Sequence, residues 1–313
     1  MTDTHLKDLK EIVKGLFLEN ELMSKHTSYG VGGPVKAFII PKDRLDLVNI
    51  LKFSNNHTIE TYFIGSGSNI LFSDNEIDGI VISPLRSLKN LNISNNTIIA
   101  ESGVMLGKMV KESIKNGLTG LESLIGVPGT LGGALTMNAG AYGSEISNHL
   151  ISVKMMSMNG KIKNYDKNEL KFSYRNSNFK SNEFIIEAKF VLKSDSIENI
   201  KVRTKKNSSS RKENQPLRYR SAGSVFKNSS QYPAGYLIDN AGLKGLKSGD
   251  AQISTKHANF IINHGKAKAS DILKLIRIIK QKVFVKYKIL LELEIKIIGF
   301  KPNDIEKINV QKN

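Results

Sequence analysis

Apolar positions change their spacing several times along the chain, and each change marks an element. Leu6, Leu9, Ile12, Val13, Leu16 and Phe17 recur every three or four residues, which predicts an opening amphipathic helix within residues 1–25. From residue 37 short apolar runs take over: "AFII", a helix-period "PKDRLDLVNILKF", "TYFI" running into the glycine loop "GSGSN", then "GIVI". That order predicts a compact strand, helix, strand, strand unit of α/β type. A second unit opens with "TIIAESG" as a strand and "MLGKMVKESIKNG" as a helix stopped by Gly117, followed by the glycine-rich "GVPGTLGGALTMNAGAYG" at 126–143. "ISVKMMSM" and "KIKNY" then flank Asn159-Gly160, a dipeptide suited to a tight hairpin with positive φ at both central residues. "FIIEAKFVL" adds another strand.

Residues 194–220 are charged and polar, and "NSSSRKENQP" reads as a linker, so the domain boundary is expected there. Beyond it come short strands around Val225, Ile253 and "FII" at 260–262. A long helix follows, with Ser270 as its expected cap and Ile272, Leu275, Ile276, Ile279 and Val283 as its buried stripe. "LLELEIKII" alternates, with Leu291, Leu293, Ile295 and Ile297 on one face and Glu292, Glu294 and Lys296 on the other, which predicts a closing strand. A polar tail is expected at 301–313.

Composition narrows the function classes. With 313 residues the chain has room for two or three cores, and it contains no cysteine, which removes disulfides, thiolate metal sites and cysteine nucleophiles. Its N-terminus mixes charges into its apolar positions, and no window nears the roughly 18 apolar residues of a spanning helix. A cytoplasmic protein without membrane insertion is expected. Lys and Arg number 46 against 29 Asp and Glu, a net charge of +17. That excess is compatible with a nucleotide substrate, but the basic run "KVRTKKNSSSRKENQPLRYR" holds a single aromatic, Tyr219, and lacks stacking platforms for nucleic acid. No nucleic-acid partner is expected. The six histidines show no H-x-x-x-H spacing, so no catalytic metal is expected either.

The candidate chemistry sits in a few stretches, each with a plainer alternative. "GSGSN" at 65–69 follows a strand, where backbone amides can converge on a phosphate, or it is a surface turn. It fails the dinucleotide fingerprint, because Ile70 stands where a third glycine belongs. The 126–143 run interleaves glycine with apolar residues, which suits a flat bound cofactor or tight packing of turns. Arg175 in "FSYRNSNF" is a solvated loop charge or a bidentate clamp for an anion. Glu294 is by default solvated, and Ser224 in "SAGSVFKN" is by default a turn residue. The hydrolase pattern G-x-S-x-G occurs nowhere, so a serine nucleophile is not supported.

Together these stretches resemble the UDP-N-acetylenolpyruvoylglucosamine reductase (MurB) family. "HTSYGVGG", "GSGSNIL", "GVPGTLGGALTMNAGAYG", "YRNSNF", "GSVFKN", "AGYLIDNAGLKG", "AQISTKHANFIIN" and "LELEI" occur in the family's order from about His26 to Gly299.

The resemblance implies an α+β fold: a two-part FAD-binding region of the vanillyl-alcohol-oxidase-like (PCMH) type at 26–195, in subdomains of about 26–85 and 86–195, then an α+β substrate-binding domain at 196–300. It implies FAD held by Gly65, Ser66, Gly67, Ser68 and Asn69 at the pyrophosphate, and by Val127, Pro128, Gly129, Gly132, Gly133 and Gly140 along the flavin. Arg175 and Glu294 match the family's substrate-polarising pair, and Ser224 its proton donor. Lys227 and Asn228 would contact the sugar nucleotide, with Tyr142 at the substrate end. The implied reaction is NADPH-dependent reduction of UDP-N-acetylglucosamine enolpyruvate to UDP-N-acetylmuramate, for cell-wall precursor synthesis, in a monomer. The chain resembles the family's shorter type, without the tyrosine loop. It departs from the family at Ser229 and Leu293, where proline is usual. Another flavin oxidoreductase of the same fold would share the glycine loops but not the Arg175, Ser224 and Glu294 set.

Overall fold

The structure, a computed structural model, describes residues 1–306 and Ile308. They form two compact units that interleave along the chain. The first holds Met1–Asn20, Lys36–Ser66 and Asp78–Arg211; the second holds Glu21–Val35, Gly67–Ile77 and the chain from Lys212 onward. Tyr29, Val31 and Leu71 bury their side chains in one cluster with residues from beyond 220.

In the first unit, α1 (Asp3–Ile12) is capped by the Thr2 side chain and ends well short of Leu16 and Phe17. Those two residues begin a strand, Leu16–Leu22, and the expected longer helix is corrected. The cause lies at the break: the buried Asp46 carboxylate takes the Lys14 and Gly15 N–H groups at 3.0 and 2.9 Å. A Cβ on Gly15 would also lie 2.0 Å from Ile40 O, so only glycine passes there. Asp46 belongs to α2 (Arg44–Asn56), which Asp43 caps. A four-stranded sheet runs in the order Leu16–Leu22, Pro34–Ile40, Ile77–Ile82, Thr61–Phe63, the last two parallel. Leu9, Ile39, Leu47, Ile50 and Ile80 form its core.

A second apolar cluster of this unit packs α3 (Leu106–Lys115) under a five-stranded antiparallel sheet. Its strand order is Ile162–Asp166, Leu150–Ser157, Glu183–Val191, Thr97–Glu101, Leu91–Ser94. The hairpin at Asn159-Gly160 closes otherwise than the dipeptide predicts, since only Gly160 has positive φ, at 79°. Ser157 and Lys161 flank a three-residue loop, with Gly160 N–H on Ser157 O at 2.8 Å. That is the turn-plus-bulge alternative to the two-residue turn.

Two further expectations change in this unit. The 126–143 run is not all loop, because Thr130 caps a short helix, α4 (Leu131–Thr136), which buries Leu131, Ala134 and Leu135. The linker-like run is helical: α5 spans Ile197–Asn214, with Ile200 its one buried residue. Its polar composition hid it, since the helix docks through ions and not through an apolar stripe. Arg203 reaches Glu122 at 2.8 Å and Asp195 at 2.6 Å.

The second unit is built around α7 (Ala269–Tyr287), after the short α6 (Ala234–Asn240). Ile272, Leu275, Ile276, Ile279 and Val283 are buried, as the periodicity requires. Strands Lys247–Ser248, Ala251–Ile253 and Ile261–Asn263 form an antiparallel sheet, and Lys296–Ile298 pairs in parallel with Ile70–Phe72. Of the expected polar tail, Pro302–Glu306 forms α8, and residues 307 and 309–313 lie outside the described residues.

Ser270 is not the cap of α7. Asp74 fills that role from a distant segment, accepting the Ala269 and Ser270 N–H groups at 2.8 and 3.0 Å. A carboxylate bridging two orphan amides also complements the helix dipole. Asp74→Ala should therefore cost about 1–2 kcal/mol. A thermal melt should register this as a Tm lower by about 2–8 °C. Ser270→Ala should melt with the wild type; the reverse order of effects would return the cap to Ser270.

Candidate active site

Ser224 follows Gly223, whose φ of +75° turns the chain sharply before it. The strand expected around Val225 does not form, and a single bridge, Phe226 to Leu293, stands in its place. Around that bridge Glu294 N–H donates to Val225 O at 2.8 Å and Lys227 N–H to Glu292 O at 2.9 Å. The backbone at Glu294 is thus bonded to the residue next to Ser224.

Glu294 itself is half-buried and sits in a bend, not on the polar face of a continuous strand as the alternation predicts. The regular strand begins only at Lys296. Its earlier part is interrupted by Asn69, whose Nδ2 donates to Glu294 O at 3.0 Å while its own carbonyl accepts Lys296 N–H at 2.9 Å. A side-chain amide occupies the place of a ladder bond. The last residue of the "GSGSN" loop therefore holds the backbone that carries Glu294.

Lys227 is partly buried and its Nζ lies 3.5 Å from Glu292. Asn228 is exposed at the surface, and its Oδ1 accepts Ala234 N–H, the first of α6, at 3.0 Å. Ser229 closes the turn that a proline would have stiffened. Its hydroxyl donates to Tyr232 O at 2.8 Å and accepts Tyr232 N–H at 2.9 Å.

Arg175 belongs to the first unit. It is the second residue of a tight turn between Phe172–Ser173 and Asn176–Ser177, with φ at +55°. A non-glycine residue adopts that conformation at a cost of about 1–2 kcal/mol, so the surroundings must hold it there. They do so from α4 and the turn after it: Ser177 Oγ donates to Thr136 O at 2.7 Å, and the buried Asn138 donates to Ser173 O at 3.1 Å. The Arg175 guanidinium rests beside Gly140, where an added Cβ would come within 3.3 Å of it.

Arg211, which the linker reading passed over, stacks its stem against Gly126 within 3.1 Å of that residue's missing Cβ. Burial, more than the nearby Arg175 charge, holds its guanidinium below the usual arginine range, while Tyr142 acts the other way. Two cations near one glycine-rich run make an anion-seeking surface. Tyr142 is half exposed, and its hydroxyl donates to Asn207 O at 2.9 Å, which ties α5 to the loop.

The glycine loops fit a flat, anionic cofactor. A Cβ on Gly65 would lie 2.3 Å from Thr130 Oγ1, and one on Gly67 would lie 2.0 Å from His26 O. Gly67 also has φ at +65°. The Ser66 and Ser102 hydroxyls are buried with no hydrogen-bond partner among the described residues. Orphaned donors of this kind suit a bound ligand. In the second run Leu131, Ala134 and Leu135 turn inward, while Val127 and Gly132 are half-buried and Pro128 and Gly133 lie exposed. Gly129 is buried at φ +134°. The run thus presents a side-chain-poor face outward.

A family model described as UDP-N-acetylenolpyruvoylglucosamine reductase, C-terminal domain, matches residues 215–298, and one described as FAD binding domain matches residues 34–166. The UDP-N-acetylenolpyruvoylglucosamine reductase of Clostridium tetani is 42% identical over 301 residues, covering 94% of this chain and 98% of that protein. That of Caldanaerobacter subterraneus is 41% identical over 303 residues, covering 96% and 100%. A crystal structure of UDP-N-acetylenolpyruvylglucosamine reductase (MurB) from Thermus caldophilus superposes with a TM-score of 0.76 at 34% identity, over 91% of this chain and 98% of that one. No helix among the described residues is long and apolar enough to cross a membrane.

Proposed function

Because the chain belongs to the UDP-N-acetylenolpyruvoylglucosamine reductase family, we propose that Arg175, Ser224 and Glu294 carry that reductase's chemistry here. The protein is an FAD-dependent oxidoreductase of peptidoglycan precursor synthesis. When bound, FAD supplies two-electron chemistry between NADPH and the enolpyruvyl group of the UDP-sugar. Gly65 to Asn69 would hold its pyrophosphate through backbone amides, and Val127, Pro128, Gly129, Gly132, Gly133 and Gly140 would lie along its flat part.

The chain's own residues then have three tasks. Arg175 grips the substrate carboxylate with a planar fork, and its hold tightens as negative charge grows on that group during reduction. Ser224 donates one proton to the adjoining carbon, a strongly basic centre for which even a hydroxyl is acid enough. Glu294 helps only as a neutral acid or through a water, since an ionised carboxylate would oppose the growing charge. The observation that carries this reading is the 2.8 Å bond from Glu294 N–H to Val225 O, which couples the acid-bearing bend to the residue after Ser224. Lys227 and Asn228 extend the same segment toward the nucleotide sugar. Tyr142 would line the substrate end.

The chain is of the shorter type. That only residues 178–182 separate the strand Asn176–Ser177 from Glu183–Val191 supports this reading. The purified protein should be yellow and should oxidise NADPH only when UDP-N-acetylglucosamine enolpyruvate is present. A colourless protein, or NADPH oxidation indifferent to the sugar nucleotide, would contradict the reading.

A further inference from the structure

Resting on that reading of Ser224, we infer that Asn259 is a positioning residue for the proton donor. Asn259 is 3% exposed and lies between the strands Ala251–Ile253 and Ile261–Asn263. Its amide makes both bonds that a neighbouring strand would make to Phe226: Nδ2 donates to Phe226 O at 2.8 Å, and Oδ1 accepts Phe226 N–H at 2.9 Å. Its own carbonyl accepts Val225 N–H at 2.9 Å. Residues 225 and 226 are thereby gripped by Asn259 on one side, and on the other by Glu294 and the Leu293 bridge.

Before Ser224 the chain is held four residues away, where Asn263 N–H donates to Arg220 O at 2.9 Å and the two residues form a bridge. Gly223 turns at φ +75°, and no described residue other than its chain neighbours lies within 4 Å of where its Cβ would be. Asn259 therefore holds the two residues that directly follow Ser224. Asn259 is anchored in turn. Its N–H donates to His257 Nδ1 at 3.2 Å, Phe260 N–H donates to His257 O at 3.0 Å, and the His257 ring meets Phe260 edge-on. Burying an amide costs desolvation that an apolar side chain would avoid. What the amide supplies and a leucine could not is a fixed backbone position.

The near-isosteric Asn259→Asp variant tests this. Its ionised carboxylate keeps an acceptor for Phe226 N–H but offers no donor to Phe226 O. The protonated acid restores that donor, and burial against a carbonyl favours the protonated form. In single-turnover experiments, reduction of the flavin by NADPH should match wild type at every pH. Reoxidation by UDP-N-acetylglucosamine enolpyruvate should be about 100-fold slower at alkaline pH, the scale expected for a misplaced reacting group. As pH falls the variant should recover toward wild type.

The charged and titratable groups facing this segment are His257 with Lys244 beside it, Lys227, Glu292 and Glu294. All are common to both proteins and cancel in the ratio of variant to wild type. Asn259→Ser, which cannot ionise, should be slow at every pH, and it serves where Asn259→Asp does not fold. Reoxidation at wild-type speed by Asn259→Asp at alkaline pH or by Asn259→Ser at any pH, no recovery of Asn259→Asp as pH falls, or equal slowing of both half-reactions, would overturn the inference. Ser224→Ala belongs in the same series. If it stalls while the Asn259 variants do not, only this inference falls; if it reoxidises normally, the reading of Ser224 falls and this inference with it.

Discussion

Ser224→Ala is expected to let NADPH bleach the bound flavin at close to the wild-type rate and then to stall, because the reduced protein no longer delivers a proton to its substrate. The loss should fall on reoxidation alone and amount to about 10²–10⁴-fold, the usual contribution of a positioned acid. The substitution deletes one oxygen from a half-buried site and leaves the hydrogen bonds at residues 225 and 226 in place. Stability should therefore hold, and stopped-flow absorbance of the flavin separates the two half-reactions. Equal slowing of both would make Ser224 a structural residue of the turn after Gly223.

Arg175→Lys is expected to slow reoxidation by about 100- to 1000-fold, as when a preorganised donor to a developing anion is lost. Lysine keeps the charge but not the planar fork, so the experiment isolates geometry from charge. The turn allows a second control. Residue 175 has φ at +55°, which glycine adopts freely. Arg175→Gly should therefore lose activity more completely yet melt no lower than wild type, and up to about 1–2 kcal/mol more stable. A destabilised, inactive Arg175→Gly would mean that the side chain is needed to hold the hairpin, not to hold the substrate.

The residues proposed for the chemistry come from contiguous stretches of sequence. "GSVFKN", "YRNSNF" and "LELEI" are contiguous, and their residue types and order carry the resemblance. The contacts that orient them were not legible there. Asn69 read as the last residue of a cofactor loop, yet its side chain is bonded to Glu294, 225 positions away. Asn138 and Asn259 stand inside motifs of the resemblance with no role of their own, and Arg211 lies in the linker-like run. Each acts through one side chain on a distant backbone, which leaves no periodic trace in its own neighbourhood. α5 was missed for a related reason: its ions bind Glu122 and Asp195, so it lacks the apolar stripe by which helices are found. The misjudged ends have the same source, since Asp46 stops α1 and Asp74 starts α7 from segments far away.

The sequence by itself determined the order of most strands and helices, the buried stripe of α7 and the family, because periodicity and motif are properties of neighbouring residues. Only the tertiary structure decided that segments 21–35 and 67–77 join the C-terminal part, and that Arg175 is held in a left-handed turn. It alone also decided that the buried amides of Asn259 and Asn138 and the half-buried amide of Asn69 fasten the backbones beside Ser224, Arg175 and Glu294. A buried amide must find its donor and acceptor wherever the fold brings them, and that pairing exists only once distant segments have met.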